Sequence, residues 1–88
     1  MTVSVRLPRI LTQTVSGGIR QEVTGGKPLG DVLESLFERE PGLRNHLVDE
    51  EGAIRTHVLI FVDGEQAEID TAVGESGEIQ VLQAVSGG

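Results

Sequence analysis

Eighty-eight residues with 38% apolar side chains, 24% charged ones and a net charge of −7 make one small domain with a single modest core. The absence of cysteine excludes disulfide staples, thiolate zinc sites and a Cys nucleophile. The acidic balance excludes nucleic acid or an anionic membrane as a partner held by the general field; a basic partner surface is its natural complement, unless the charge only keeps a small domain soluble.

With 2% aromatics the core has to be aliphatic, built around Phe37 and Phe61. Val3, Val5 and Leu7 alternate with Thr2, Ser4 and Arg6, the period of a strand with one buried face. Pro8 removes a ladder donor and ends that strand or marks an edge. Residues 9–18 read as a connection closed by the Gly17-Gly18 turn, after which Ile19, Gln21 and Val23 resume the alternation. The two runs predict an N-terminal hairpin with a long loop. Gly25-Gly26-Lys27-Pro28 is the next break, and there the period changes. Leu29, Val32, Leu33, Leu36 and Phe37 fall at i, i+3, i+4, i+7 and i+8, one apolar stripe on a helix of about three turns. Pro28 opens it, where a missing N–H costs nothing, and Pro41-Gly42 stops it. Asp31 and Glu34 lie toward the positive end of its dipole.

In residues 42–56, Leu43 and Leu47 suit a short helical turn, and Asp49-Glu50-Glu51-Gly52 a solvated loop. His57 to Val62 is nearly all apolar. Such a run predicts a central strand with Val58, Ile60 and Val62 on one face and Leu59 and Phe61 on the other. Asp63-Gly64 is a favoured hairpin turn, residues 65–69 make a short return, and Gly74 and Gly77 bracket another turn. Glu78 to Leu82 is the final strand, running directly into the tail. The order β-β-α-β-β-β predicts an α+β fold, a mixed sheet of four to five strands with one helix packed across it. The first and last strands carry the cleanest aliphatic faces, so a parallel pair of them under the helix would make one compact unit. The tail would then leave from the middle of the sheet.

That tail, Ala84-Val85-Ser86-Gly87-Gly88, carries a carboxylate on a tether without side chains at its last two positions. Gly has no Cβ, so its backbone can approach another protein closely. Four extended residues from Val85 reach on the order of 13 Å, enough to put the carboxylate in a partner's active site while the globule stays outside. The expected division is a body at 1–84 and a free tail at 85–88. A merely frayed end is the plain alternative.

With the element order and the ending both in view, the chain resembles the ubiquitin-like β-grasp sulfur carriers, the ThiS/MoaD family. The resemblance rests on Val3-Ser4-Val5-Arg6-Leu7-Pro8, on Val58-Leu59-Ile60-Phe61-Val62-Asp63 and on the close from Ile79 to Gly88. The loop from Leu43 to Ile54 and the Val-Ser-Gly-Gly ending look nearest to the cysteine-pathway branch, CysO. Gln83 departs from the pattern, since several relatives have a proline just before the tail. The resemblance implies a carrier rather than an enzyme, with no bound cofactor. An E1-like adenylating enzyme would use ATP and Mg²⁺ to turn the Gly88 carboxylate into an acyl adenylate. A sulfur donor would then replace AMP to leave a thiocarboxylate, and a sulfur-accepting synthase would draw on it. A metalloprotease that trims the tail adduct belongs to the same set of partners. Nucleic acid and membranes do not, and residence is expected in the cytoplasm, since no run of residues is apolar like a signal peptide or long enough to span a bilayer.

Leu59, Phe61 and Leu82 would face away from the helix, forming an apolar patch near the tail for partner docking. Alternatively, residues 42–56 fold over that patch and bury it. Gly25-Gly26-Lys27 lacks the spacing of a phosphate loop. His46 with Asp49, and His57, lack a third ligand pattern and read as surface residues. The internal Val-Ser-Gly-Gly at residues 15–18 has no free carboxylate and reads as a turn. Two rival functions share these features. One is a ubiquitin-like modifier that passes activated Gly88 to lysine amines; the other is a β-grasp interaction module whose tail is incidental. Cysteine, thiamin and molybdopterin stay open as destinations of the sulfur.

Overall fold

The computed structural model describes residues 2–11 and 13–83. Five strands form one sheet in the order β2-β1-β5-β3-β4. They are β1 (Thr2–Arg6), β2 (Arg20–Thr24), β3 (Val58–Val62), β4 (Glu65–Gln66) and β5 (Glu78–Gln83). Helix α1 (Leu29–Arg39) and the single turn α2 (Arg44–Leu47) complete the regular elements, with 3₁₀ turns at Arg9–Leu11 and Pro41–Leu43. This is a mixed α+β sheet with a helix across it, a β-grasp.

The alternation in β1 and β2 becomes an antiparallel pair in which Val3 lies opposite Val23 and Val5 opposite Gln21. Beside them, β1 runs parallel to β5, with Val5 opposite Ile79. β5 in turn runs antiparallel to β3, with Ile60 opposite Val81 and Val62 opposite Ile79. The last strand therefore holds the middle of the sheet, where the expected parallel pair required it.

Every apolar residue of the predicted helical stripe is buried in α1. The stripe packs into a cluster with Val3, Val5, Val58, Ile60, Ile79 and Val81 from one face of the sheet. Each fully buried aliphatic side chain contributes roughly 1.5–3 kcal/mol. Pro28 precedes the helix without capping it through a side chain. Instead, the Leu29 and Gly30 N–H groups donate to the Thr71 and Ile69 carbonyls, both at 2.8 Å. The segment after β4 thus satisfies helix-end donors that would otherwise need a Ser, Thr or Asp.

Three expectations change. Phe61 is outside the core, so Phe37 is the aromatic around which it is built. β3 is flanked on its outer side only by the two-residue β4, so it is next to an edge rather than central. Ordered return pairing covers Glu65–Gln66 and not the full 65–69, although Ala67 and Ile69 still pack against the core. The 42–56 segment goes to the helix side: Leu43, Leu47 and Val48 are buried in the common core, with Ile54 packed against it.

Candidate functional site

Strand β5 alternates in burial, with Ile79 and Val81 inward and Glu78 and Leu82 exposed. Its outward residues each meet at least one cross-strand neighbour. Leu82 lies opposite Leu59, Gln80 lies between Arg6 and Phe61, and Glu78 lies beside Ser4. Leu82 is 39% exposed, while Leu59 and Phe61 are half-buried. None of the three belongs to the core cluster or packs against it. The outer face was expected to end either as an apolar patch or under the 42–56 segment. That segment's apolar residues went into the core instead.

The far end of β5 opens on a shallow cleft lined by Arg6, Arg9, Ile19, Gln80 and Leu82 among others. Gly87, Gly88, Val85 and Ser86, the tail residues on which the sequence reading turns, lie outside the described residues, as does the 84/85 boundary. The strand that leads to them is described as far as Gln83.

Other candidates have ordinary surroundings. His46 on α2 and His57 before β3 are both exposed. The Asp49 carboxylate accepts the Glu51 and Ala53 amides at 2.9 and 3.0 Å and so shapes its own turn. Among the described residues no group of three or more His, Cys, Asp or Glu side chains is arranged to hold a metal ion. Lys27 Nζ donates to Ser35 Oγ at 2.8 Å, and Gly26 has φ +80, so Gly25-Gly26-Lys27 is a turn into the helix. No helix among the described residues is long and apolar enough to cross a membrane.

The internal Val-Ser-Gly-Gly has a role that a bare turn does not. Ser16 N–H donates to Glu40 Oε1 and Gly17 N–H to Glu40 Oε2, each at 3.0 Å. Glu40 is 6% exposed. These amides, that of Ser16 foremost, hold the Glu40 carboxyl below the usual carboxylate value. On the surface, the Arg44 guanidinium forks onto Glu34, lowering that carboxyl's pKa as well.

A family model for ThiS matches residues 5–88. The chain belongs to the ThiS family. Members are small carrier or modifier proteins rather than catalysts. Small archaeal modifier protein 1 of Haloferax volcanii is 29% identical over 70 residues, 80% of each chain. Among solved structures, Mycobacterium tuberculosis CysO superposes with a TM-score of 0.83 at 27% identity, covering 94% of this chain and 99% of that one. A chain of the Amycolatopsis orientalis BexX/CysO complex superposes with a TM-score of 0.87 at 24% identity, covering 98% and 99%. This ThiS-family chain is thus a ThiS/MoaD-type ubiquitin-like protein similar to CysO.

Proposed function

We propose that this protein is a sulfur carrier whose reactive group is the Gly88 carboxylate. The reading is supported above all by the placement of β5: the central strand, held between β1 and β3, is the element that immediately precedes the segment ending in Gly87-Gly88. A carboxylate is a poor electrophile until one oxygen becomes a leaving group. An E1-like enzyme supplies that by letting the carboxylate attack the α-phosphorus of ATP bound with Mg²⁺, releasing pyrophosphate. A donor sulfur at the oxidation level of sulfide then attacks the carbonyl carbon, and AMP leaves. The resulting thiocarboxylate is a better nucleophile than the carboxylate and passes its sulfur to a synthase. The reaction takes place in the cytoplasm, where ATP is available.

Both steps involve the Gly88 carboxyl group threaded into a narrow channel, first as nucleophile toward phosphorus and then as electrophile toward sulfur, and a Cβ on Gly87 or Gly88 would crowd either approach. Leu59, Phe61 and Leu82 serve as the docking patch that holds the body at the channel mouth.

The test incubates the protein with its adenylating enzyme, MgATP and a sulfide donor and reads the intact mass. A gain equal to the difference between sulfur and oxygen is expected; an unchanged mass with active enzyme overturns the carrier reading. Gly88→Ala should slow adenylation while leaving Tm where it is, and an unchanged rate removes the channel argument.

The likeness to a modifier protein favours a second reading, transfer of activated Gly88 to lysine amines. The last basic residue is Arg55, so trypsin would leave residues 56–88 on the acceptor rather than Gly-Gly. A glutamate-specific protease cutting after Glu78 leaves the shorter remnant 79–88. That remnant on other proteins' lysines supports the modifier reading.

A further inference from the structure

The outer face of the sheet is polarised in a way that the net charge conceals. Arg6 and Arg20 lie directly opposite each other on β1 and β2, and both are exposed. Arg6 also neighbours Gln80 on β5, and Arg9 joins it along the cleft that Leu82 lines. Arg6 and Arg9 thus line the cleft beside the C-terminal half of β5, and Arg20 stands opposite Arg6, three of the seven basic residues of a chain carrying −7. Glu22 and Glu78 flank Ser4, one outward step along β1 from Arg6 and away from the C-terminal end of β5. Like charges placed directly opposite across a strand pair repel and weaken it. The ion pair found among the described residues, Arg44 with Glu34, is elsewhere and relieves neither arginine.

We infer that this face docks a partner whose contact surface is acidic around an apolar centre, with Arg6 and Arg20 meeting the partner's carboxylates at the tail end. The inference rests on the carrier reading and gives its activating enzyme a chemistry. An acidic partner is repelled by most of this surface and finds attraction at one pole, so the charges choose orientation as well as partner. That pole is where exposed Leu82 lies opposite half-buried Leu59 and where the chain continues to the tail, so the attractive approach is also the productive one. On this inference the basic complement expected from net charge does not apply to this face.

The experiment measures the KM for this protein in ATP–pyrophosphate exchange by the adenylating enzyme, at low and high salt. Wild-type KM should rise with salt. The double variant Arg6→Glu/Arg20→Glu should raise KM about tenfold at low salt, flatten the salt dependence and leave kcat in place. Glu22→Lys, at the other pole, should leave KM within about twofold or lower it. Arg6→Glu alone replaces a like-charge pair with an opposite one, so its Tm should hold or rise, separating docking from folding. Unchanged KM in the double variant, or an equal increase in Glu22→Lys, overturns the inference while wild-type exchange keeps the carrier reading alive. A wild type that supports no exchange overturns both. Self-association that Arg6→Glu abolishes would assign the face to a second copy, through its Asp49-Glu50-Glu51 run, and overturn the inference too.

Discussion

Glu40 closes the gap between the first long loop and the end of α1. Its two carboxylate oxygens accept the Ser16 and Gly17 amides, and Gln21 Nε2 approaches at 3.4 Å. Because its folded pKa lies below the ordinary 4.5, the ionised form contributes stability that is fully present above that value. The contribution is lost as pH falls through the lowered folded pKa. Glu40→Gln should therefore unfold at lower urea than wild type at neutral pH, and the gap should narrow as pH is taken below 4.5; parallel profiles would contradict this. Nothing in the sequence separates Glu40 from its exposed neighbour Glu38, because the selection is made by a loop twenty-odd residues upstream. The repeated Val-Ser-Gly-Gly was the available clue, since two successive amides without bulky side chains can wrap an anion. A second residue-scale test concerns Gly25. A Cβ there would collide with the Gly74 carbonyl and sit 2.8 Å from Val3 Cγ1, and backbone cannot swing aside. Gly25→Ala should cost about 1–3 kcal/mol in chemical denaturation.

Strand β3 has a core face and an outer face, and if the outer one docks a partner as proposed, substitutions should separate the two. Ile60 is 1% exposed in the core, so Ile60→Ala should cost about 2–5 kcal/mol. Leu59, one residue earlier, is half-buried on the outer face; Leu59→Ala should cost about 1 kcal/mol or less yet raise the KM for adenylation. Equal stability losses from the two would mean that the outer face is structural. The two-faced run was legible because period-2 alternation assigns sides without knowing neighbours. Its place in the sheet was not, since a strand apolar on both sides reads as central whether the second side is covered by protein or by a partner. Helix α1 was legible from its stripe for the same local reason. Its N-terminal donors were not: the carbonyls of Ile69 and Thr71 that satisfy them lie some forty residues away.

At the scale of the molecule, the parallel β1–β5 pair ties the beginning of the chain to its end, and everything between is wrapped around it. Removing residues 84–88 leaves every described strand pairing in place, so Tm should be unchanged while adenylation is lost. Truncation before Glu78 removes the strand that both β1 and β3 need, and cooperative unfolding should disappear from the thermal melt. This topology was legible because two strands with one-sided aliphatic faces had a single helical stripe to share. The polarity of the outer face was not, because it depends on register: only the pairing puts Arg6 against Arg20. The central position of β5 also governs manufacture. A ribosome delivers residues from the N-terminal end, and no sheet can close until 78–83 have cleared the exit tunnel. A product ended before Glu78 thus stays unfolded and open to proteolysis, and the adenylating enzyme is not offered a folded body that lacks its central strand.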